Sequence, residues 1–429
     1  MKVVRCMAQT NNKRRSRLQN VLILLLSISA AFLFYLNQFG MPHFSALQLP
    51  FTQTGESLAV TDERVFLREM DWPVTVLTAD SFGGRRELHL STGDSSFTAA
   101  EGLLEDSFRG ELLWEECGYA AFRAAMDESS LCILLPNAVP MQVIAARLGL
   151  PSAEQFSVSA FLFSRTEESV LFYYSDGTQY FQSSCPLTGD GLSTVIEALG
   201  GEECTLADET EGIRAELNSL TACSAELPSL PLLTGATAES LSSLPALLPQ
   251  FGFNAHTTNR YTEADGTEVI VESPRRLRIT PAGTVHYSGD RKNAPDSFIL
   301  PAQDDLTEII GSSYHLLQSL LNSAGVKTQL YLSSVQQSGE GCTLCFEAMA
   351  GGLSVLAGSG ETAGRVVIAD GIVTELSLRY RSYTVSDAEA LLLPFPQALA
   401  VASSYEGMRM DLSYIDSARE EVAPAWFMR

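Results

Sequence analysis

Residues 21–36, VLILLLSISAAFLFYL, constrain this chain more than any other stretch. The run holds no charged residue, and its only polar side-chain atoms are the hydroxyls of Ser27, Ser29 and Tyr35. As a helix it reaches roughly 24 Å, slightly short of a ~30 Å hydrocarbon core. Leu18 and Phe39 extend the apolar length, and Arg17 can snorkel to the headgroups. Lys2, Arg5, Lys13, Arg14, Arg15 and Arg17 precede the run, whereas the first acidic residue is Glu56. That asymmetry makes Lys13, Arg14, Arg15 and Arg17 the topology determinants: the N-terminus stays cytoplasmic and everything after Leu36 is exported. Ser27-Ile28-Ser29-Ala30 is a pattern a signal peptidase accepts, but a cut there leaves Ala31 to Leu36 still apolar on the product. An uncleaved signal anchor is therefore expected. No cysteine follows the run until Cys117, which argues against a lipoprotein anchor. Ser27, Ala30 and Ala31 share one helical face, where small residues let a second membrane helix approach closely. The plain alternative is a monomeric tether in which those residues are incidental.

Beyond the anchor stand 22 basic residues against all 51 acidic ones, a formal charge of −29, and only Lys292 and Lys327 are lysines. Such a surface repels nucleic acid, anionic lipid and polyanionic wall polymers, which excludes a DNA-binding role. Apolar content near half fits folded structure, and the exported length suffices for two cores. Seven of the eight cysteines are exported, an odd number with no compact disulfide framework. Cys185 with Cys204 is one pairing the spacing permits; mostly reduced, buried thiols are the expected state.

Along the chain, residues 37–57 read as a stalk carrying Pro42 and Pro50. Strands are expected at 73–77, 87–90, 131–135 (ended by Pro136-Asn137), 157–164, 169–174 and 178–181. A helical run at 101–126 is broken at Gly110 and Gly118, and a short helix at 141–148 opens after Pro140 and stops at Gly149. The proline-rich stretch 226–240 reads as a connector, giving domain 58–225 before it and domain 241–429 after it. In the second domain Asp265-Gly266 turns a hairpin within 259–273, and Pro281-Ala282-Gly283 turns another. Asp304 or Asp305 caps the strongest helix, with the stripe Leu306, Ile309, Ile310, Leu316, Leu317, Leu320 and Leu321 and a stop at Gly325. Strands follow at 328–335, 342–349, 353–356, 365–368, 372–380, 408–414 and 422–427, with helices at 387–393 and 396–403. The fold class expected is α+β: an N-terminal single transmembrane helix plus two extracytoplasmic domains of antiparallel sheets with packed helices.

Motifs for chemistry are sparse. Cys342-Thr-Leu-Cys345 lies in an extended stretch, where residues three apart face opposite sides about 10 Å apart, beyond disulfide reach. Gly358-Ser-Gly360-Glu-Thr-Ala363 matches a dinucleotide fingerprint in letters, but a strand rather than a helix follows, so no helix N-terminus awaits a pyrophosphate. The five histidines are scattered and no GxSxG nucleophile elbow occurs; His286 reads as a packing residue and the acidic pairs as solvated faces. No catalytic, metal or cofactor constellation is found, although carboxylates paired only in space leave no linear trace.

The layout resembles the YycH family, with a C-terminal part similar to its single-domain relative YycI. The resemblance is carried by the basic anchor, the strand-Pro-helix unit 131–149 (LCILLPNAVPMQVIAARLG), and the hairpins 261–273 (YTEADGTEVIVES) and 277–289 (LRITPAGTVHYSG). It continues in 342–349, 364–384 (GRVVIADGIVTELSLRYRSYT), 393–400 (LPFPQALA) and 410–426 (MDLSYIDSAREEVAPAW) with its Pro-Ala-Trp ending. The cysteine content and extreme acidity depart from that pattern. The resemblance implies a membrane-anchored, non-catalytic accessory protein of the WalRK (YycFG) two-component system. Its implied partners are the sensor histidine kinase WalK (YycG), a second YycH- or YycI-type protein and the cell membrane, with no nucleic acid and no cofactor. A single anchor can transmit only a difference in how it binds two kinase states. Two other classes fit the same residues: a tethered ligand- or wall-binding protein without a kinase, and an exported hydrolase whose acidic residues converge only in the fold.

Overall fold

Alternating apolar and polar residues between Val74 and Ser224 build the first of two sheets. The computed structural model describes residues 65–80, 84–151, 156–206, 222–224, 229–242, 244–300, 305–338, 341–402 and 410–428. Residues 21–36 and 37–57, expected to form an anchor and a stalk, lie outside them. Strands β1 (Val74–Ala79), β2 (Arg85–Leu90), β3 (Glu115–Cys117) and β4 (Ser130–Pro140) are followed by β5 (Ser157–Arg165) and β6 (Val170–Ser175). With β7 (Tyr180–Cys185), β8 (Glu202–Leu206) and β9 (Ala222–Ser224) they form an antiparallel sheet ordered β3-β7-β6-β5-β4-β1-β2-β8-β9. Period-two alternation sends Val74 and Val76 into the large core and Leu77 to the opposite face. Around this sheet lie α1 (Val65–Glu69), α2 (Ser95–Phe108), α3 (Tyr119–Ala125), α4 (Met141–Leu148) and α5 (Gly189–Leu199). Phe97, Leu104, Ile144 and Leu192 from α2, α4 and α5 join the large core. Phe122 and Ala125 of α3 cover a smaller cluster with Cys132, Leu134 and Leu162.

The second sheet comprises β10 (Ser229–Thr237), β11 (Arg260–Thr262), β12 (Glu268–Glu272), β13 (Arg275–Ile279), β14 (Thr284–Ser288) and β15 (Gln329–Ser338). It continues with β16 (Gly341–Ala350), β17 (Leu353–Ala357), β18 (Gly364–Ala369), β19 (Ile372–Arg379) and β20 (Arg381–Leu391). The last strands are β21 (Met410–Asp416) and β22 (Glu421–Met428), and the helices are α6 (Leu306–Ser323) and α7 (Phe395–Ala402). The order is β11-β12-β13-β14-β19-β18-β16-β17-β21-β22-β10-β20, with β15 on the other edge of β16. Among the described pairs, β17 with β21 runs parallel and the rest antiparallel. One cross-strand row, Ile270, Leu277, Tyr287, Leu376, Val366 and Leu344, enters the large core, to which α6 contributes Ile310, Leu317 and Leu321. Gly364 lets α6 come close there, since a Cβ on it would stand 2.9 Å from Leu317 Cδ1. Both sheets share one apolar core with α1, α2, α4, α5 and α6 within the compact unit Thr61–Arg429, while α7 packs in a separate cluster with Met410.

The antiparallel α+β expectation agrees with this architecture, and several local readings change. Residues 387–393, read as helical, lie largely in β20, which pairs with β10 from Ser229↔Leu391 to Thr237↔Arg381. Sheet pairing there overrides the helical preference of Ala388, Glu389, Ala390 and Leu391. The connector contains β10, which tolerates Pro231 because the register shifts between Pro231 and Leu233. β4 continues past Pro136 to Pro140 through a register shift against β5 between Leu134 and Val139. The run 101–126 resolves into α2, starting at Ser95, the short edge strand β3, and α3. Helix α5, capped by the Thr188 side chain accepting from Gly191 N–H, escaped the sequence pattern altogether.

Candidate functional site

The residues predicted to carry function, Ser27, Ala30 and Ala31 on the packing face and Lys13, Arg14, Arg15 and Arg17 as topology determinants, lie outside the described residues. Among the described residues no helix is long and apolar enough to cross a membrane. The first described element is α1, and how the folded body grips it bears most directly on any coupling to the expected anchor.

A short helix ends with carbonyls that no intrahelical N–H can reach. For α1 those carbonyls are met by Arg147 of α4, whose Nη1 donates to Met70 O at 2.7 Å and Leu67 O at 3.1 Å. Its Nη2 donates to Thr92 Oγ1 (3.1 Å) and its Nε to Glu101 Oε1 (2.9 Å), while the guanidinium lies over the rings of Trp72 and Phe97. Arg147 is buried, and so is Asp71, which accepts from the N–H groups of Trp72 and Thr92. Burial pushes the Asp71 carboxyl above its ordinary range. From the other sheet, Tyr314 of α6 donates to Glu69 O at 3.1 Å, and the His315 ring stacks on Phe66 at 4.0 Å. So α1 is wedged between α4 and α6 and held from both. The space left beside Arg147 is about 10 Å³, room for one water at most, so this is a clamp rather than a pocket.

Further along the same helix an open cleft of about 460 Å³ lies between α6, the start of β15, the β16–β17 turn and β20. Gln318 and Asn322 line it from α6, and with His315 they follow i, i+3, i+7 spacing along one helical face. Lys327 and Gln329 enter from β15 and the residue pair before it, Met349 and Val385 supply apolar surface, and no carboxylate among the described residues lines the cleft. Lys327 forms no ion pair among the described residues. Tyr383 closes one wall, donating to Asp416 Oδ2 at 2.8 Å, and burial beside that carboxylate pushes its phenol well above the ordinary range. Behind it the fully buried Asp416 also accepts from Arg381 Nε at 2.7 Å and lies 3.5 Å from Arg379 Nη2.

On the opposite face of the first sheet, Glu87 and His89 stand two apart on β2, 3.6 Å between Oε1 and Nε2, too long for a hydrogen bond. His89 Nδ1 lies 3.1 Å from Thr75 Oγ1. Burial, then the charge of Glu202 across the strand pair, raises Glu87 to about 8, and burial lowers His89 to about 4. Both groups are thus mainly uncharged near neutrality.

The cysteines of the CxxC lie on β16 on opposite faces, Cys342 buried and Cys345 half-buried, both free. The permitted pairing of Cys185 with Cys204 does not occur: the two lie on β7 and β8, six strand spacings or roughly 29 Å apart. Gly358 to Ala363 turn from β17 into β18, without a helix. His286 is half-buried on β14 facing Arg278 and Ser377 across the strands, and burial lowers its imidazole. No group of three or more His, Cys, Asp or Glu side chains able to hold a metal ion occurs among the described residues. Sequence reasoning passed over Arg147, Gln318 and Asn322, and noted Lys327 only for its rarity. Comparison of the chain with protein-family models, with curated proteins and with solved structures finds no match in any of the three.

Proposed function

We propose that this chain is a membrane-anchored, non-catalytic regulator of a sensor histidine kinase controlling cell-wall metabolism. In this reading residues 21–36 span the cell membrane once with the N-terminus cytoplasmic, and both sheets with their helices stand outside. The helix face Ser27, Ala30 and Ala31 meets a kinase helix, and a second protein of YycH or YycI type can share the contact. No cofactor is required. The observation that carries the reading is the grip on α1. The first described element after the anchor is held by Arg147 from one sheet's helix layer and by Tyr314 and His315 from the other's. A body built to transmit needs such a rigid join, because a slack one would decouple the folded part from the membrane helix.

The reading is tested by photocrosslinking in intact membranes from a probe at Ala31. Recovery of a histidine kinase is the expected result, weakened by Ser27→Leu at unchanged membrane level. Crosslinks that contain no kinase favour the tethered binder and end the proposal.

A further inference from the structure

The cleft beside α6 has features that the grip on α1 does not use. Among the described strands β20 is the last of its sheet, with no described strand paired to its outer edge. Tyr380 O accepts from Ala238 N–H on the paired side, whereas Arg381 O accepts from the Thr328 hydroxyl on the cleft side. Successive residues of a strand point their N–H and C=O groups to alternate sides. The backbone groups of Tyr383 and Val385 therefore face the cleft with Arg381. A free strand edge next to an open cavity is a template for an added extended peptide. Among the described residues Lys327 is the one charged side chain lining the cleft, in a chain of formal charge −23. One unpaired ammonium with no carboxylate beside it suits one anionic group, and a strongly acidic body leaves few other places for one. Gln318 Nε2 is spent on Thr328 O at 3.3 Å, but its carbonyl oxygen and the amides of Asn322 and Gln329 remain available for peptide groups. Met349 and Val385 give an apolar patch for a small side chain.

We infer that this cleft binds the C-terminal end of a short peptide, its backbone pairing with the Tyr383–Val385 edge of β20 and its free carboxylate on Lys327. The volume, about 460 Å³, accommodates two to three small residues. Because Gln318 and Asn322 lie on the helix that also carries Tyr314 and His315, occupancy of the cleft is placed one to two turns from the grip on α1. The binding itself does not depend on the kinase reading; only its consequence for signalling rests on it.

The test is isothermal titration calorimetry of the full chain in detergent micelles with acetyl-Ala-Ala as the free acid. Saturable binding is expected, weakened at least tenfold by amidating the peptide's C-terminus and at least tenfold by Lys327→Met. Those two losses should not add, since both remove one contact. Val385→Pro removes an outward N–H without breaking a ladder bond and should weaken binding several-fold at an unchanged melting temperature. If that variant melts early, the non-additivity at Lys327 decides alone. Preference for the D,D peptide identifies a wall stem peptide as the source and preference for the L,L peptide a protein C-terminus. No saturable binding of either acid, equal binding by inorganic phosphate, or an affinity untouched by Lys327→Met overturns the inference.

Discussion

Asp416 is the residue on which most of the second sheet's polar interior depends. It is fully buried, accepts from Arg381 and Tyr383, lies beside Arg379, and its second oxygen accepts from Ala418 N–H. Removing one partner of such a network leaves the others charged and unpaired. Asp416→Ala should therefore cost about 3–5 kcal/mol in urea unfolding, and a loss below about 1 kcal/mol would show that the arginines find other partners. Glu87 sets a pH dependence whose sign follows from its raised value. Folded protein keeps a proton on Glu87 up to about pH 8, whereas the unfolded chain releases it near 4.5, so stability falls as pH rises through that interval. His89 acts in the opposite sense between about 4 and 6.5, leaving Glu87 alone to act above that. From pH 6.5 to 8 the wild type should lose about 1.5 kcal/mol that Glu87→Gln keeps, read from melts at the two pH values. None of these residues announced itself. Arg147 in MQVIAARL reads as a charge able to snorkel from an apolar helix, and only the fold shows carbonyls of α1 waiting for it.

Elements with local signals at both ends were legible. α6 has its stripe, the Asp305 cap accepting from Thr307 N–H at 2.9 Å, and Gly325 at φ +74° beyond its end. α4 has Pro140 before it and Gly149 in the left-handed region after it. β20 and β10 were not legible, because what makes them strands is each other, across about 150 residues of chain. The grip on α1 is likewise non-local, and its strength is measurable element by element. Arg147→Met should speed amide exchange in residues 65–70 at least tenfold, through the loss of hydrogen bonds to Leu67 O and Met70 O. Exchange in β11 and β12, at one end of the second sheet's order, should stay as in the wild type. Uniformly faster exchange would mean that Arg147 supports the whole core rather than this one helix.

For the whole molecule, antiparallel α+β architecture could be read from alternation and turns, whereas the sharing of one core by both sheets could not. At that junction α1 meets α6 and β4 meets β15, and nothing in any of these segments names its partner. That sharing matters for the proposed function, in which a body with one core and one grip on α1 transmits as a unit. The most direct measurement is kinase autophosphorylation in nanodiscs holding the sensor kinase alone, with the full chain, or with a chain carrying a ten-residue Gly-Ser insertion between Val60 and Thr61. The intact chain should change the rate, and the insertion should return it toward the level of the kinase alone. A rate identical in all three preparations would contradict the claim that the folded body governs the kinase through its anchor.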